Sequence, residues 1–282
     1  RGLGFDSTDV IQSRHVCYLP HFHRKKRKPI FPAMRLPDFS FWTFPSLWDW
    51  ILIFPPGLIA GVLAGWSAAY CRERWQWPVG YSRKIFHFVI FTLAGILGLV
   101  KGFGAVQVFG ATVGVVVLRA VWCGNQSRLF RAVARPNDHP FEKFCILVPF
   151  LMTALGGMLS NLLFGQFAVV GYITTGWGDA AGEPVGTRWG KHTYRVPTLR
   201  GMVTRRSIEG SGAVFLASLC GCVILLSLGY NAAWSFVLLA SLILAMITTL
   251  VEAVSFHCLD NLTIQITTSG ACGLIFWLGG VG

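Results

Sequence analysis

The sequence predicts an all-α fold, a polytopic transmembrane bundle of about seven to eight spans carrying a Gly-rich active-site loop on its cytosolic face. Three observations lead there. The chain is 54% hydrophobic and only 13% charged, where a soluble domain carries about 25% charged residues. Its apolar runs reach the roughly 20 residues that a bilayer core demands. Its basic residues gather in alternate links between those runs, as the positive-inside rule requires. Residues 1–45 read as a basic, disordered tail, and residues 46–282 as one membrane-embedded domain with a cytosolic loop at 177–210.

Taken in order, residues 1–38 are irregular, with prolines at 20, 29, 32 and 37. Residues 1–36 hold eight Lys/Arg against two Asp, half of the chain's formal net charge of +12, and the run His23-Arg24-Lys25-Lys26-Arg27-Lys28 dominates them. Such a tail touches anionic lipid headgroups or serves as a targeting segment. The start at Arg1 rather than Met fits a fragment or a processed chain. So lipophilic a chain is not expected to bind nucleic acid. An aromatic stretch, Phe39 to Trp50, leads into the first apolar segment, Trp50–Tyr70. Pro55-Pro56-Gly57 interrupts that segment, which suggests an interfacial first part and a spanning second part. Further apolar segments follow at 85–100, 103–122, 145–164, 165–176, 211–229, 232–254 and 262–281.

The link at 71–84 holds Arg72, Arg74, Arg83 and Lys84; that at 123–144 holds Arg128, Arg131, Arg135 and Lys143; that at 177–210 holds Arg188, Lys191, Arg195, Arg200, Arg205 and Arg206. The alternate links carry Lys101 and no other base. Strict alternation puts the three basic links and 255–261 on the cytosolic side, although eight crossings would then leave the basic tail on the opposite face. The eight cysteines are scattered, mostly within apolar runs, and show no zinc-site spacing.

Polar residues cluster in four places. In the stretch Gly176 to Gly210, Asp179 and Glu183 stand i,i+4 and would share one helical face. Paired carboxylates suit a hard divalent cation, bases such as Lys191, Arg205 and Arg206 suit phosphate, and glycines let backbone approach both. Pro184 argues against a regular helix there. A solvated loop with ordinary positive-inside charge is the plainer reading, but carboxylates at a membrane edge need partners. The second cluster is Arg83-Lys84-x-x-His87, explained equally by snorkelling bases and a packing histidine. The third is Glu252, an acid inside an apolar run, with Asp260-Asn261 at the next segment's start, where a helix cap is the alternative. The fourth, Asn137-Asp138-His139-Pro140, reads as a turn. Alternation brings all four to one membrane face.

In combination these pieces resemble the CTP-dependent polyprenol kinases (phytol, farnesol and dolichol kinases and the CTP-dependent diacylglycerol kinases) and, more distantly, the phosphatidate cytidylyltransferases. The matching pieces are Arg83-Lys84-Ile85-Phe86-His87; Gly178-Asp179-Ala180-Ala181 with Val185-Gly186 and Trp189-Gly190-Lys191; Arg206-Ser207-Ile208-Glu209-Gly210-Ser211; and Glu252 with Asp260-Asn261-Leu262. They run in order over about residues 80–265. The chain departs from the pattern at Glu183-Pro184 and in a longer loop between Lys191 and Arg205, both of which bear on substrate choice.

The resemblance implies transfer of the γ-phosphoryl group of CTP to a lipid hydroxyl, a reaction governed by positioning and charge neutralisation. It implies Mg²⁺ on Asp179, with Glu183 and Asp260 as further ligands. Lys84, His87, Gly186, Gly190, Lys191, Arg205, Arg206, Ser207 and Asn261 would surround the nucleotide, and Glu209 or Glu252 would accept the alcohol proton beside Asp179. The partners implied are CTP, a lipid alcohol and the surrounding membrane lipids. Two other readings stand beside this one: CDP-lipid synthesis by attack on the α-phosphorus, and a transporter with a polar midplane, for which no inverted repeat is visible.

Overall fold

A computed structural model describes residues 44–197 and 204–281 of the 282-residue chain; nearly all of the basic tail therefore lies outside the described residues. The fold is a polytopic helical bundle. Its helices are α1 (Leu47–Arg74), α2 (Val79–Val100), α3 (Phe103–Cys123), the short α4 (Arg128–Val133), α5 (Glu142–Phe164), α6 (Ala168–Ile173), α7 (Asp179–Trp189), α8 (Ile208–Gly229), α9 (Trp234–Val254) and α10 (Asp260–Leu278). Among the described residues six stretches are long and apolar enough to cross a membrane: Leu47–Arg74, Val79–Val100, Phe103–Gln126, Glu142–Trp189, Ile208–Gly229 and Trp234–Val254.

The fourth stretch is two helical rods. Asn161 Nδ2 donates to the Tyr172 hydroxyl, although 11 residues of straight helix would hold the two about 16 Å apart. The chain reverses at Gly165, whose φ of +53° favours glycine. The returning rod is α6, a π-turn at Thr174–Gly178 and α7. α10 falls short of the apolar standard because Asn261, Gln265, Thr268 and Ser269 form a buried polar stripe along it. Part of that stripe is partnered inward: Asn261 Nδ2 donates to Thr153 Oγ1 at 2.7 Å, and the Thr174 and Thr268 hydroxyls meet at 3.0 Å, while Gln265 Oε1 and Ser269 Oγ have no hydrogen-bond partner.

Two expectations change. α1 runs unbroken through Pro55 and Pro56, opened by a capping box of Ser46 and Asp49. A spanning helix tolerates proline where neighbours compensate, and here Gly57 packs against Phe109 and Thr112 of α3. The segment 177–210 is not simply a loop either. Helix α7 continues directly from the π-turn, Pro184 included, and a β-hairpin follows, with β1 (Thr193–Val196) antiparallel to β2 (Thr204–Ser207) and Tyr194 paired with Arg206.

The principal core lies among α6, α8, α9 and α10, around Val170, Leu226, Leu244 and Phe276. A second joins α2 and α3 around Ala94, Phe109, Val113 and Val117. Outer faces expose Leu63, Leu118, Leu155, Leu216, Leu239 and Leu250. Large apolar side chains spread over several helices in this way suit lipid rather than water.

Candidate functional site

Four elements build one polar cluster. On α7, Asp179 and Glu183 share the face turned to α2. Lys84 of α2, 4% exposed, sets its Nζ 2.6 Å from Asp179 Oδ2 and 3.4 Å from Glu183 Oε2. One turn further along α2, His87 Nε2 lies 3.3 Å from Asp179 Oδ2 and 3.4 Å from the Thr175 carbonyl. Both neighbours of Nε2 are acceptors, which assigns the ring proton to that nitrogen and leaves Nδ1 as the lone-pair atom. Glu183 is held from its other side by Arg135, whose Nε and Nη2 donate to Oε1 at 3.1 and 2.6 Å. Glu183 Oε2 is buried without a hydrogen-bond donor.

The opposite wall is organised by Arg206 of β2. Its Nε lies 2.7 Å from Glu252 Oε1, and its Nη2 donates to Asp260 Oδ2 at 2.9 Å. Its Nη1 donates to the Glu252 carbonyl and, at 3.4 Å, to that of Ser255. One guanidinium thus ties the C-terminus of α9, where orphan carbonyls collect, to the N-terminus of α10. Arg135 Nη1 donates at 3.3 Å to Nε2 of His257, whose backbone N–H donates to the Pro197 carbonyl beyond β1.

Burial and the positive charges of Arg135, Arg83 and Arg206 push the His257 pKa down to about 3, so this ring is neutral and accepts. Burial works against the Arg135 charge, but the Glu183 carboxylate outweighs it and raises the Arg135 pKa. Burial raises the Asp138 pKa, opposed by Arg135.

Together these residues line a polar cavity of about 480 Å³. Lys84, Asp179, Glu183, Arg205, Arg206, Ser207, Glu252 and Asp260 all border it, as do Arg83, Arg135, Asp138 and His257. Among the described residues Arg83 and Arg205 have no carboxylate within ion-pair distance, unlike Lys84, Arg135 and Arg206. They are the cations free to meet an anion. A second, apolar chamber of about 720 Å³ is lined in part by His87, Arg83 and Asn261.

Other sequence-derived candidates fall elsewhere. Glu209 lies outside the cavity lining, and its carboxylate accepts from the His192 backbone and lies 2.8 Å from His192 Nδ1. Lys191 is exposed beside it. Ser207 Oγ caps α8 by accepting from the Gly210 amide at 3.0 Å. Gly182, Gly186 and Gly210 serve helix packing: a Cβ on Gly210 would stand 2.9 Å from the Gly182 carbonyl and 3.3 Å from Gly186 Cα. Gly190 is more crowded still, since a Cβ there would run into the Gly186 carbonyl. Asn261 faces the chamber rather than the polar cavity. Sequence reasoning passed over Arg135 and His257. Each lies beside a polar cluster without belonging to its pattern, and only the fold brings Arg135 to Glu183.

No three His, Cys, Asp or Glu side chains among the described residues converge on one point. Of the carboxylates lining the cavity, Glu252 and Asp260 are tied to Arg206 on the opposite wall, whereas Asp179 and Glu183 share one face of α7, with Glu183 Oε2 lacking a hydrogen-bond partner. That set fits Mg²⁺, which typically takes one or two carboxylates and completes its shell with water and substrate phosphates.

Over 127 residues, 44% of this chain and 52% of the relative, the sequence is 32% identical to a phytol kinase of Synechocystis sp. (strain ATCC 27184 / PCC 6803 / Kazusa). The chain thus spans about half the length of that relative. No family model matches the chain, and no solved structure does. What the comparison supports is a likeness to the phytol kinases and, through them, to enzymes of the polyprenol kinase kind.

Proposed function

We propose that this protein is an integral-membrane lipid kinase that transfers the γ-phosphoryl group of CTP to the hydroxyl of an isoprenoid or polyprenol alcohol, with its polar links on the cytosolic face. One observation carries the reading. A cavity lined by carboxylates and arginines shares Arg83 with an apolar chamber, and His87 on the chamber side lies 3.3 Å from Asp179 on the cavity side. A phosphoryl donor and a lipid acceptor need that juxtaposition, and a soluble substrate does not. The likeness to a phytol kinase supports the same class.

Within this reading Arg83 and Arg205 bind the phosphates, since neither is spent on a carboxylate of the protein. Lys84, Arg135 and Arg206 hold Asp179, Glu183, Glu252 and Asp260 in place and keep the cavity near neutrality, so that an entering polyphosphate is not repelled. Asp179 and Glu183 hold Mg²⁺, which when bound supplies the charge that a polyphosphate in so carboxylate-rich a site requires. Glu252 and Asp260, fixed by Arg206, form the far wall. His87 stands where the alcohol meets the donor.

The test is purified protein in lipid nanodiscs, given labelled CTP or ATP with phytol, farnesol, geranylgeraniol, dolichol or diacylglycerol. The expected products are CDP and a lipid monophosphate. Pyrophosphate with a CDP-lipid would replace the kinase by a cytidylyltransferase. Asp179→Asn is expected to lower turnover by about 100-fold or more, as losing an electrostatic group of the reaction centre does, while the variant still inserts and folds. Unchanged turnover in that variant would remove Asp179 from the site.

A further inference from the structure

The 720 Å³ chamber is bounded by α2, α3 and α5, with Asn261 and Gln265 of α10 at its inner end. Several of its lining residues are exposed: Ala111 and Val115 on α3, Ala154 and Met158 on α5. Exposed wall residues on two helices mark where the chamber opens, and both helices carry further exposed apolar side chains, Leu118 and Leu155, that suit lipid. The other end stops at Arg83 and His87, and Arg83 also lines the polar cavity. The chamber therefore runs from the bilayer to the phosphate-binding side of the site.

We infer that this chamber seats the hydrocarbon chain of the acceptor, entering sideways between α3 and α5 with its hydroxyl at His87, and that it admits one chain rather than two. The inference rests on the lipid-kinase reading and deepens it. Volume decides the number of chains. At about 30 Å³ per heavy atom, the share of one molecule in liquid water, an alcohol of about 20 carbons needs roughly 630 Å³. That matches the 720 Å³ present. A diacylglycerol with two long chains needs roughly twice as much. His87 suits the hydroxyl end: Nε2 is engaged by Asp179 and Thr175, and Nδ1 is free to accept the hydroxyl's hydrogen bond.

Ala111→Trp and Ala154→Trp narrow the mouth from exposed positions where the bundle has no packing to lose. For phytol, kcat/KM is expected to fall about 10-fold or more, the scale on which pockets discriminate by bulk, while that for a five-carbon prenol changes less than about 2-fold. Equal loss on both alcohols, or no loss on either, overturns the inference. A phytol analogue carrying a diazirine on its chain gives a readout independent of turnover. Crosslinks to α3 and α5 that Ala111→Trp abolishes are expected, with phytol competing better than dioleoylglycerol. Crosslinks elsewhere, or equal competition by the two lipids, overturn it. Should the wild-type protein phosphorylate no alcohol, the kinase reading fails, and the crosslinks still decide whether the chamber is a single-chain lipid seat.

Discussion

Replacing Lys84 by Met tests whether the site is held together by its charges. The substitution keeps an unbranched apolar stem and removes the ammonium group that lies 2.6 Å from Asp179 and 3.4 Å from Glu183. The Lys84 and Asp179 side chains are 5% and 13% exposed, so water cannot take over the role of the lost cation. Glu183 keeps Arg135, but Asp179 is left with only the Nε2–H of His87. Breaking a buried pair from one side costs about 3–5 kcal/mol, whereas removing both charges is often close to neutral. Lys84→Met should therefore destabilise by about 3 kcal/mol or more, and Lys84→Met with Asp179→Asn should recover about 2 kcal/mol of that loss. Reversible unfolding in mixed micelles with increasing dodecyl sulfate, followed by tryptophan fluorescence, measures all four corners of the cycle. A loss below about 1 kcal/mol for Lys84→Met, or strict additivity in the double variant, would show that the ammonium group is solvated or paired elsewhere. The reasoning about a closed charge network would then fail.

His257 makes stability depend on acid. Its pKa falls from an ordinary 6.5 to about 3 in the folded protein, so between those values the unfolded chain binds the extra proton. Stability is full above about pH 6.5 and declines on acidification toward pH 3, by at most ~1.4 kcal/mol per pH unit from this group. His257→Gln should flatten that decline, and an unchanged pH profile of unfolding would refute the assignment. At the crossing of α7 and α8, Gly210→Val should cost about 1–3 kcal/mol by overpacking against the Gly182 carbonyl. Gly212→Ala, where an added Cβ meets nothing within 4 Å, should be neutral or stabilising by up to about 1 kcal/mol. Equal effects at the two glycines would refute the close-packing account.

Legibility followed the range of the interaction that fixes each residue. The shared face of Asp179 and Glu183 is a local fact of helical periodicity, and it held once α7 proved to be a helix. Composition was enough for the bundle itself, because apolar length is what a bilayer selects. α1 resisted reading because local rules make Pro55-Pro56 a break, while packing of Gly57 against α3 supports a continuous helix. α10 was legible as a segment but not as a polar stripe, since only its neighbours show that Asn261, Gln265 and Thr268 all point inward. Arg135 looked like any positive-inside charge. Its pairing with Glu183 spans 48 residues and depends on how the link before α5 folds back under α2 and α7.

That long-range pairing also explains why the site is assembled from separate helices rather than from one loop. The carboxylates sit on three different elements: Asp179 and Glu183 on α7, Glu252 at the end of α9, Asp260 at the start of α10. Each cation comes from yet another element, Lys84 from α2, Arg135 from the link after α4, Arg206 from β2. Every ion pair therefore crosses between elements and acts as a clamp on their relative position. Buried polar contacts of this kind contribute little net stability but penalise any arrangement that leaves a charge unpaired. A bundle whose outer surface meets lipid has few other means of fixing helix register, since apolar side chains pack almost as well against lipid tails as against each other. On the proposed kinase reading, the charges that line the cavity are thus the same charges that align the helices around it. Substitutions within the cluster should accordingly move stability and activity together, and those at Arg83 and Arg205, which clamp nothing, should move activity alone.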